Sequence, residues 1–538
     1  MSWKKARLKA ALGRMPITAE AYQAVLANGR EPVGGYRLDR LHAALPDWVD
    51  AGLATKGEEP VLPPRRVLVI AYLPWWLEHA TAMSVLLASS GCEVGIGFVP
   101  FRRWTEPVQV FDRRRQSRYI KSILSRAEPL MQVHDLSSPT ATPIPPDLAS
   151  RLEALSRGDV QYSLQREELG TAPKSEADAL YDLRLERNMA AAASALELFK
   201  EKGYDVALIP NGSILEFGAV YQAARWAGVT AVTYEFGEQR ERMWLAQNAE
   251  VMRQDTAEFW SARSVDELNE NERAQLEAMY AARRSGLRWT RFDRQWQSVP
   301  SRGAEATRAE LGLDSDRPIA LVCTNVVGDS LALNRQVFTE GMADWLSLTV
   351  RHFEDPAFGQ LVVRVHPGEM LGAGHPSAEV VREALPEMPA NVVVVGPDSE
   401  INTYDLIEMA DLGLVYTSTV GLEMAMAGVP VVVAGETHYR GKGFTSDPNS
   451  TEEYLDAVDR LLAARGEAQL GEKRRELAAR YAYRFFFEYP FPFPWHLIGF
   501  WDDLEEHPVE AIVQRPEAYR STMLALIGEP IDWSTKGD

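Results

Sequence analysis

Apolar residues in this chain gather in short continuous runs rather than in long alternations. Nine runs read as buried strands: Val67–Tyr72, Glu93–Val99, Val206–Ile209, Ala231–Tyr234, Ile319–Cys323, Gln360–Val365, Val392–Val395, Leu412–Tyr416 and Val429–Val433. Continuous β-branched runs are what parallel strands covered on both faces require. Helical patterns fill the gaps, at about 176–202, at about 335–353, and from the turn Thr417-Ser418-Thr419 to Gly428. The strand–helix–strand order occurs twice, which predicts an α/β fold with two Rossmann-like domains. The expected boundaries are 1–60 for a helical extension, 61–300 and 301–480 for the two domains, and 481–538 for a C-terminal segment.

Several stretches fall outside that pattern. Residues 1–60 read as three short helices, one starting at Thr18 and a later one interrupted by Pro46. Residues 111–126 form a basic amphipathic helix with Tyr119, Ile120, Ile123 and Leu124 on one side. Its charged side reads as a solvated face, with contact to anionic lipid headgroups as the alternative. SSPTATPIPPDL (137–148) reads as a loop and WTRFDRQWQSVPSRG (289–303) as an interdomain linker. The segment 481–501 holds eleven aromatic residues in 21, expected to pack between the domains, with membrane-surface insertion as the second reading.

Composition narrows the function classes. At 538 residues the chain exceeds one hydrophobic core. Lys and Arg number 57 against 76 Asp and Glu, a formal charge of −19, which excludes wholesale nucleic-acid binding. Cys92 and Cys323 are the only cysteines, so no disulfide framework or cysteine metal site is expected. No apolar run approaches the roughly 20 residues that span a bilayer. The expected location is the cytoplasm, with peripheral membrane contact as a further possibility.

Candidate chemistry sits where strands end. The first strand delivers Trp75, Trp76, Glu78 and His79; packing explains the tryptophans, and an imidazole with an ordinary pKa near ~6.5 suits a general base. Two later strands end at Asn211 and Glu235, with Glu216 and Glu238 as further carboxylates. A helix cap and a base are both open to such carboxylates. No G-x-G-x-x-G is present, so no dinucleotide cofactor is indicated. In the second half, strands end at Thr324-Asn325, at Arg364-Val365-His366-Pro367-Gly368-Glu369, and at Ser418-Thr419. Hydroxyl residues at a helix start leave free N–H groups that suit an anion, though they also simply cap helices. Glu423, one turn later, is placed to accept from ribose hydroxyls, and Arg440 and Lys442 lie on a glycine-flanked loop suited to phosphate.

The motifs RVHPGE, Tyr404-Asp405-Leu406-Ile407, YTSTVGLEMAMAGVPVVVAG and HYRGKGF, with IPNG at 209–212 and Glu-x-Gly at 235–237, resemble capsular-polysaccharide glycosyltransferases of the GT-B fold. The similarity covers about 180–490 and is most specific over 360–445. It implies two Rossmann-like domains facing a central cleft, with extra N-terminal helices and a C-terminal crossover helix. The first domain would bind acceptor through Trp75, Trp76 and Asn211 and supply the base from His79 or Glu235. The second would bind nucleotide-sugar through Thr324, Asn325, Arg364, His366, Pro367, Glu369, Ser418, Thr419, Glu423, Arg440 and Lys442. In relatives that use CMP-activated sugars the His-Pro pair and the Ser/Thr turn bind nucleotide, so a CMP-linked donor is slightly favoured; in retaining relatives the equivalent of Glu423 binds ribose. The acidic Asp/Glu-Asp/Glu-Gly motif of sialyl- and Kdo-transferases is missing, and Glu235-Phe236-Gly237 is a partial echo. No cofactor and no metal are expected. The implied partners are a nucleotide-sugar donor and a growing cell-surface polysaccharide or glycolipid acceptor. The alternatives are a polyol-phosphate transferase with a CDP-linked donor, a sugar-nucleotide epimerase or hydrolase, and a non-catalytic sugar-nucleotide-binding scaffold.

Overall fold

The computed structural model describes residues 3–27, 30–32, 36–55, 59–138, 140–169, 174–237, 239–285, 299–371, 376–465 and 469–535. The strands are β1 (Arg66–Tyr72), β2 (Glu93–Val99), β3 (Met131–Asp135), β4 (Val206–Pro210), β5 (Thr230–Glu235), β6 (Arg242–Gln247), β7 (Ile319–Cys323), β8 (Gln360–Arg364), β9 (Val392–Val395), β10 (Leu412–Val415), β11 (Val431–Val433) and β12 (Phe491–Pro492). The chain divides into two compact units. One comprises residues 1–160, 173–252 and 491–531; the other comprises 161–172, 253–490 and 532–538.

The sheet of the first unit runs β12-β6-β5-β4-β1-β2-β3. From β3 to β5 all neighbours are parallel, and β6 and β12 extend the β5 side antiparallel. The second unit holds an all-parallel sheet in the order β11-β10-β7-β8-β9. In each sheet the opening strand is central and the order reverses beside it, between β1 and β4 and between β7 and β10. Ligands of open α/β sheets bind outside the carboxyl ends of strands at such reversals. The expected α/β class is therefore what the chain adopts, as two Rossmann-like units.

The β-branched runs bury completely, as the core residues Val67 to Ile70 in β1 and Leu361 to Val363 in β8 show. Burying each such side chain contributes about 1.5–3 kcal/mol. The second core centres on Trp345, Tyr416 and Tyr454, with the Tyr454 and Thr349 hydroxyls 2.8 Å apart. In the first unit a buried polar cluster joins three helices, Pro146–Leu164, Lys174–Lys202 and Leu215–Ala227. Arg184 pairs with Glu216 at 2.8 Å and Asp159 at 3.2 Å, and Asn188 donates to Asp159 at 2.7 Å. Breaking one member of such a group costs about 3–5 kcal/mol, because its partners stay buried and charged.

Several expectations change at this level. Pro46 lies inside the helix Asp39–Ala54 and does not interrupt it. β3, β6 and β12 and the helix Pro146–Leu164 come from stretches with no strong apolar run. The helix expected at about 335–353 is shorter, Met342–His352. In the basic helix Val110–Leu124 the Tyr119 side is buried as expected. However, Arg114 and Arg115 are turned toward the N-terminal helices: Arg114 pairs with Glu20, and Arg115 lies 4.7 Å from the Tyr22 ring. The aromatic segment is not free for membrane insertion. Tyr481, Phe485 and Tyr489 are buried within the second unit, and Phe493, Trp495 and Phe500 within the first. Most of the expected linker lies outside the described residues. No helix among the described residues is long and apolar enough to cross a membrane.

Candidate active site

In the first unit β1 hands over to the helix Pro74–Ser89, which opens with proline at its first position. Trp75 stands 49% exposed at this edge, whereas Trp76 is buried in edge-on contact with Phe217, Tyr234 and Phe236. His79, one turn on, is wholly buried among Phe236, Phe493 and Phe500. Its Nε2 lies 3.2 Å from the Trp495 carbonyl, and burial pushes its pKa down to about 3. A ring enclosed by aromatics reaches no acceptor hydroxyl, so the geometry takes His79 out of contention as the base. Glu216 is likewise committed to the Arg184 pair, and Glu238 lies outside the described residues. Glu78 accepts from the Trp501 indole at 2.9 Å and is pushed up to about 7 by burial.

Glu235 has the surroundings a base needs. It closes β5 at the carboxyl edge and is partly exposed. Burial, opposed by hydrogen bonds from the Phe236 N–H and the Asn211 amide, raises its pKa to about 7. Those bonds measure 3.1 Å to Oε1 and 3.3 Å to Oε2. Asn211 sits at φ +58° after β4, with its side-chain Oδ1 accepting from the Ser213 N–H and hydroxyl. That turn fixes the amide, and the amide orients the carboxylate. The structure thus joins two sequence candidates into one pair.

In the second unit the polar turns meet at the reversal between β7 and β10. Asn325 Oδ1 accepts from the Thr417 N–H at 3.2 Å, across the reversal itself. Thr324 Oγ1 accepts from the His366 N–H at 2.9 Å, tying the β7 and β8 turns. Ser418 and Thr419 lead into the helix Val420–Ala427, which ends at Gly428 with φ +93°, a conformation that favours glycine. The Ser418 carbonyl accepts from the Tyr439 hydroxyl at 2.6 Å. Thr417, in the turn read from sequence, contributes its backbone amide here, and Tyr439 a hydroxyl that no local pattern announces. Arg364 is buried next along the edge, donating to the Gly396 carbonyl at 2.6 Å and reaching Thr403 Oγ1 at 3.5 Å. Among the described residues it forms no ion pair, and burial lowers its pKa. A cation held by neutral acceptors keeps its charge available to an anion. Lys442 is half-buried, and burial lowers its pKa. His366 and Pro367 open the short turn Pro367–Leu371, with His366 Nδ1 accepting from the Gly368 N–H at 3.0 Å.

Three expected nucleotide contacts are engaged elsewhere. Glu369 accepts from the Ser377 N–H and hydroxyl at 2.8 and 2.6 Å, which caps the helix Ser377–Ala384. Arg440 donates to the Val433 carbonyl at 2.6 Å and to the Pro448 carbonyl, stapling its own loop. Glu423 pairs with Arg283 and accepts from the Tyr404 hydroxyl at 2.7 Å, so neither carboxylate oxygen waits for a ribose. Among the described residues no three His, Cys, Asp or Glu side chains gather as metal ligands.

Residues 236–466, less than half of the chain, match a sequence family described as "Capsule polysaccharide biosynthesis protein". The match is confined to this segment. The matched stretch contains β7 to β11 and every nucleotide-side candidate. Curated proteins give no match. Among solved structures, the chain is similar to the beta Kdo 2,4 transferase of Thermosulfurimonas dismutans KpsC, at 18% identity over 53% of this chain and 85% of that one, with a TM-score of 0.34. The beta Kdo 2,7 transferase of the same KpsC gives 17% identity, 53% and 79% coverage, and a TM-score of 0.31. A UDP-GlcNAc 2-epimerase from Neisseria meningitidis bound to UDP-GlcNAc gives 10% identity, 78% and 99% coverage, and a TM-score of 0.24. Likenesses this weak carry no functional argument.

Proposed function

We propose that this chain is a glycosyltransferase of the cytoplasm, moving a sugar from a nucleotide-sugar donor, slightly favouring a CMP-linked one, to a growing cell-surface polysaccharide or glycolipid. The observation that carries the reading is the carboxyl edge of the second sheet. There the Ser418-Thr419 helix start, the Thr324-Asn325 turn and the Arg364 cation lie on adjacent strands β10, β7 and β8. The positive end of a helix dipole and a cation that forms no ion pair among the described residues suit a donor phosphate. On the acceptor side Glu235, oriented by Asn211, takes the proton of the attacking hydroxyl; the new bond forms at the anomeric carbon and the donor phosphate leaves with the bonding pair. Arg364 and the positive end of that helix neutralise the leaving phosphate, so the transfer proceeds without a metal ion.

The test is a thermal-shift screen of CMP, CDP, UDP, GDP and dTDP. A nucleotide at 100 times its Kd stabilises by about 2.7 kcal/mol. One nucleotide class should raise Tm in a dose-dependent way, and Arg364→Gln should abolish that rise. A flat response to all five sinks the reading.

A further inference from the structure

The segment Met15–Leu26 is built inside out. Its polar residues face the protein. Glu20 pairs with Arg114 at 2.8 Å, Gln23 is buried and accepts from Arg115 at 3.2 Å, and the Thr18 hydroxyl donates to the Met15 carbonyl at 3.0 Å. Every exposed residue between Met15 and Leu26 is apolar: Met15, Pro16, Ile17, Ala21, Tyr22, Ala24, Val25 and Leu26. Ile17 is 72% exposed and Val25 and Leu26 are each 74% exposed. Leu8 on the preceding helix Trp3–Arg14 and Val110 at the start of the basic helix are exposed as well. Helices normally turn such side chains inward, and an exposed apolar set rimmed by polar residues marks an interaction surface.

Charge decides what that surface meets. The helix Trp3–Arg14 carries five basic residues and no acidic one. The helix Val110–Leu124, packed against it, adds Arg113, Arg114, Arg115, Arg118 and Lys121 against the single acid Asp112. Some of that charge is neutralised internally, as Lys9 pairs with Asp112 at 2.7 Å, but Arg14 and Arg118 are exposed. In a chain of net charge −19 this is a local excess of the opposite sign. Apolar side chains that enter the acyl boundary, flanked by cations at headgroup level, are the signature of an interfacial helix on an anionic bilayer.

We infer that the surface formed by residues 8–26 and the start of the basic helix docks the chain on an anionic lipid bilayer. Of the two regions whose sequence invited a membrane reading, the aromatic tail is buried and the basic helix serves chiefly as the platform that holds the apolar hairpin outward.

The test is flotation of the full chain with vesicles of phosphatidylcholine alone or with about 30% phosphatidylglycerol, at low and high salt. The chain should float with anionic vesicles only, and less at high salt. The triple variant Ile17→Ser, Val25→Ser, Leu26→Ser should lose about tenfold or more in partitioning, since it removes apolar insertion. Its Tm should be unchanged because the three side chains touch little. Arg14→Glu with Arg118→Glu should weaken binding mainly at low salt. Failure of the native chain to float with anionic vesicles overturns the proposal, as does undiminished flotation of the triple variant. Conversion of a native dimer to a monomer by the triple variant, without vesicle binding by either form, would assign the surface to a second copy of the chain instead.

Discussion

Replacing Glu235 by Gln should make the protein less active and more stable at once. The carboxyl has a pKa of about 7 in the folded chain against an ordinary value of 4.5. Between those values the unfolded chain has released the proton and the folded chain has not, so folding stability falls as pH rises from about 4.5 to about 7 and stays low above it. At about 1.4 kcal/mol for each pH unit, the ionised carboxylate costs about 3 kcal/mol at pH 8. Gln carries no charge at any pH and removes that cost. It also replaces an acceptor facing the Asn211 amide by a donor, which gives back about 1 kcal/mol. The balance is a gain of about 2 kcal/mol at pH 8, or roughly 4 °C in Tm for a unit this large, turning into a loss of about 1 kcal/mol near pH 4 where the charge term is gone. Turnover should drop by about 10²–10⁴ with donor affinity intact. For the native chain kcat/KM should fall tenfold per unit below about pH 7, where the base is protonated. Paired pH series of Tm and of transfer rate read all of this. A variant that turns over normally, or that is destabilised at pH 8, refutes the assignment of Glu235 as a partly desolvated base.

Asn211→Gly keeps the left-handed turn while removing the amide that favours the Glu235 carboxylate, so the acid limb of the rate profile should move to higher pH with little change in Tm. Lys442→Ala should weaken nucleotide binding, measured calorimetrically, without loss of stability. Arg440→Ala should do the reverse, lowering stability by about 1–3 kcal/mol through lost loop hydrogen bonds, seen as a lower Tm, and leaving Kd unchanged. Transfer should persist in excess EDTA; abolition by the chelator with rescue by Mg²⁺ or Mn²⁺ would contradict charge neutralisation by Arg364 and a helix dipole.

Position along a sheet edge was legible in the sequence because a buried apolar run fixes where a strand stops, and the turn that follows must lie at the carboxyl edge. Asn211, Glu235, Thr324, Asn325, His366 and Ser418 are all found there. What lies across from a turn was not legible. His79 follows β1 as expected, yet the carbonyl it meets belongs to Trp495, 416 residues away, and nothing local announces that enclosure. Glu369 and Arg440 read as ligands because only their charge was visible, not the Ser377 cap or the loop carbonyls that satisfy them. The missed strands share a cause. β3 is an edge strand with a half-polar sequence, MQVHD, and β6 pairs antiparallel with a weak alternation, RMWLAQ. Neither needs the unbroken apolar run that buried parallel strands require.

The first unit draws residues 491–531 back into its own sheet and core, and this shapes how the chain is made. Its strands β1 to β6 are synthesised by residue 247, but β12, which pairs Phe491 with Met243, comes far later. At about 5–20 residues per second, roughly 10–50 s separate residue 252 from residue 491. During that interval the β6 edge is unpaired, and the aromatic cage of His79 lacks Phe493, Trp495 and Phe500. Most of the second unit, residues 253–490, is synthesised within the same interval. The unit that begins first is therefore completed only after most of the second has been made. A nascent chain stalled before residue 491 presents an open sheet edge beside an unfilled apolar cavity, the kind of surface that chaperones hold and that otherwise aggregates.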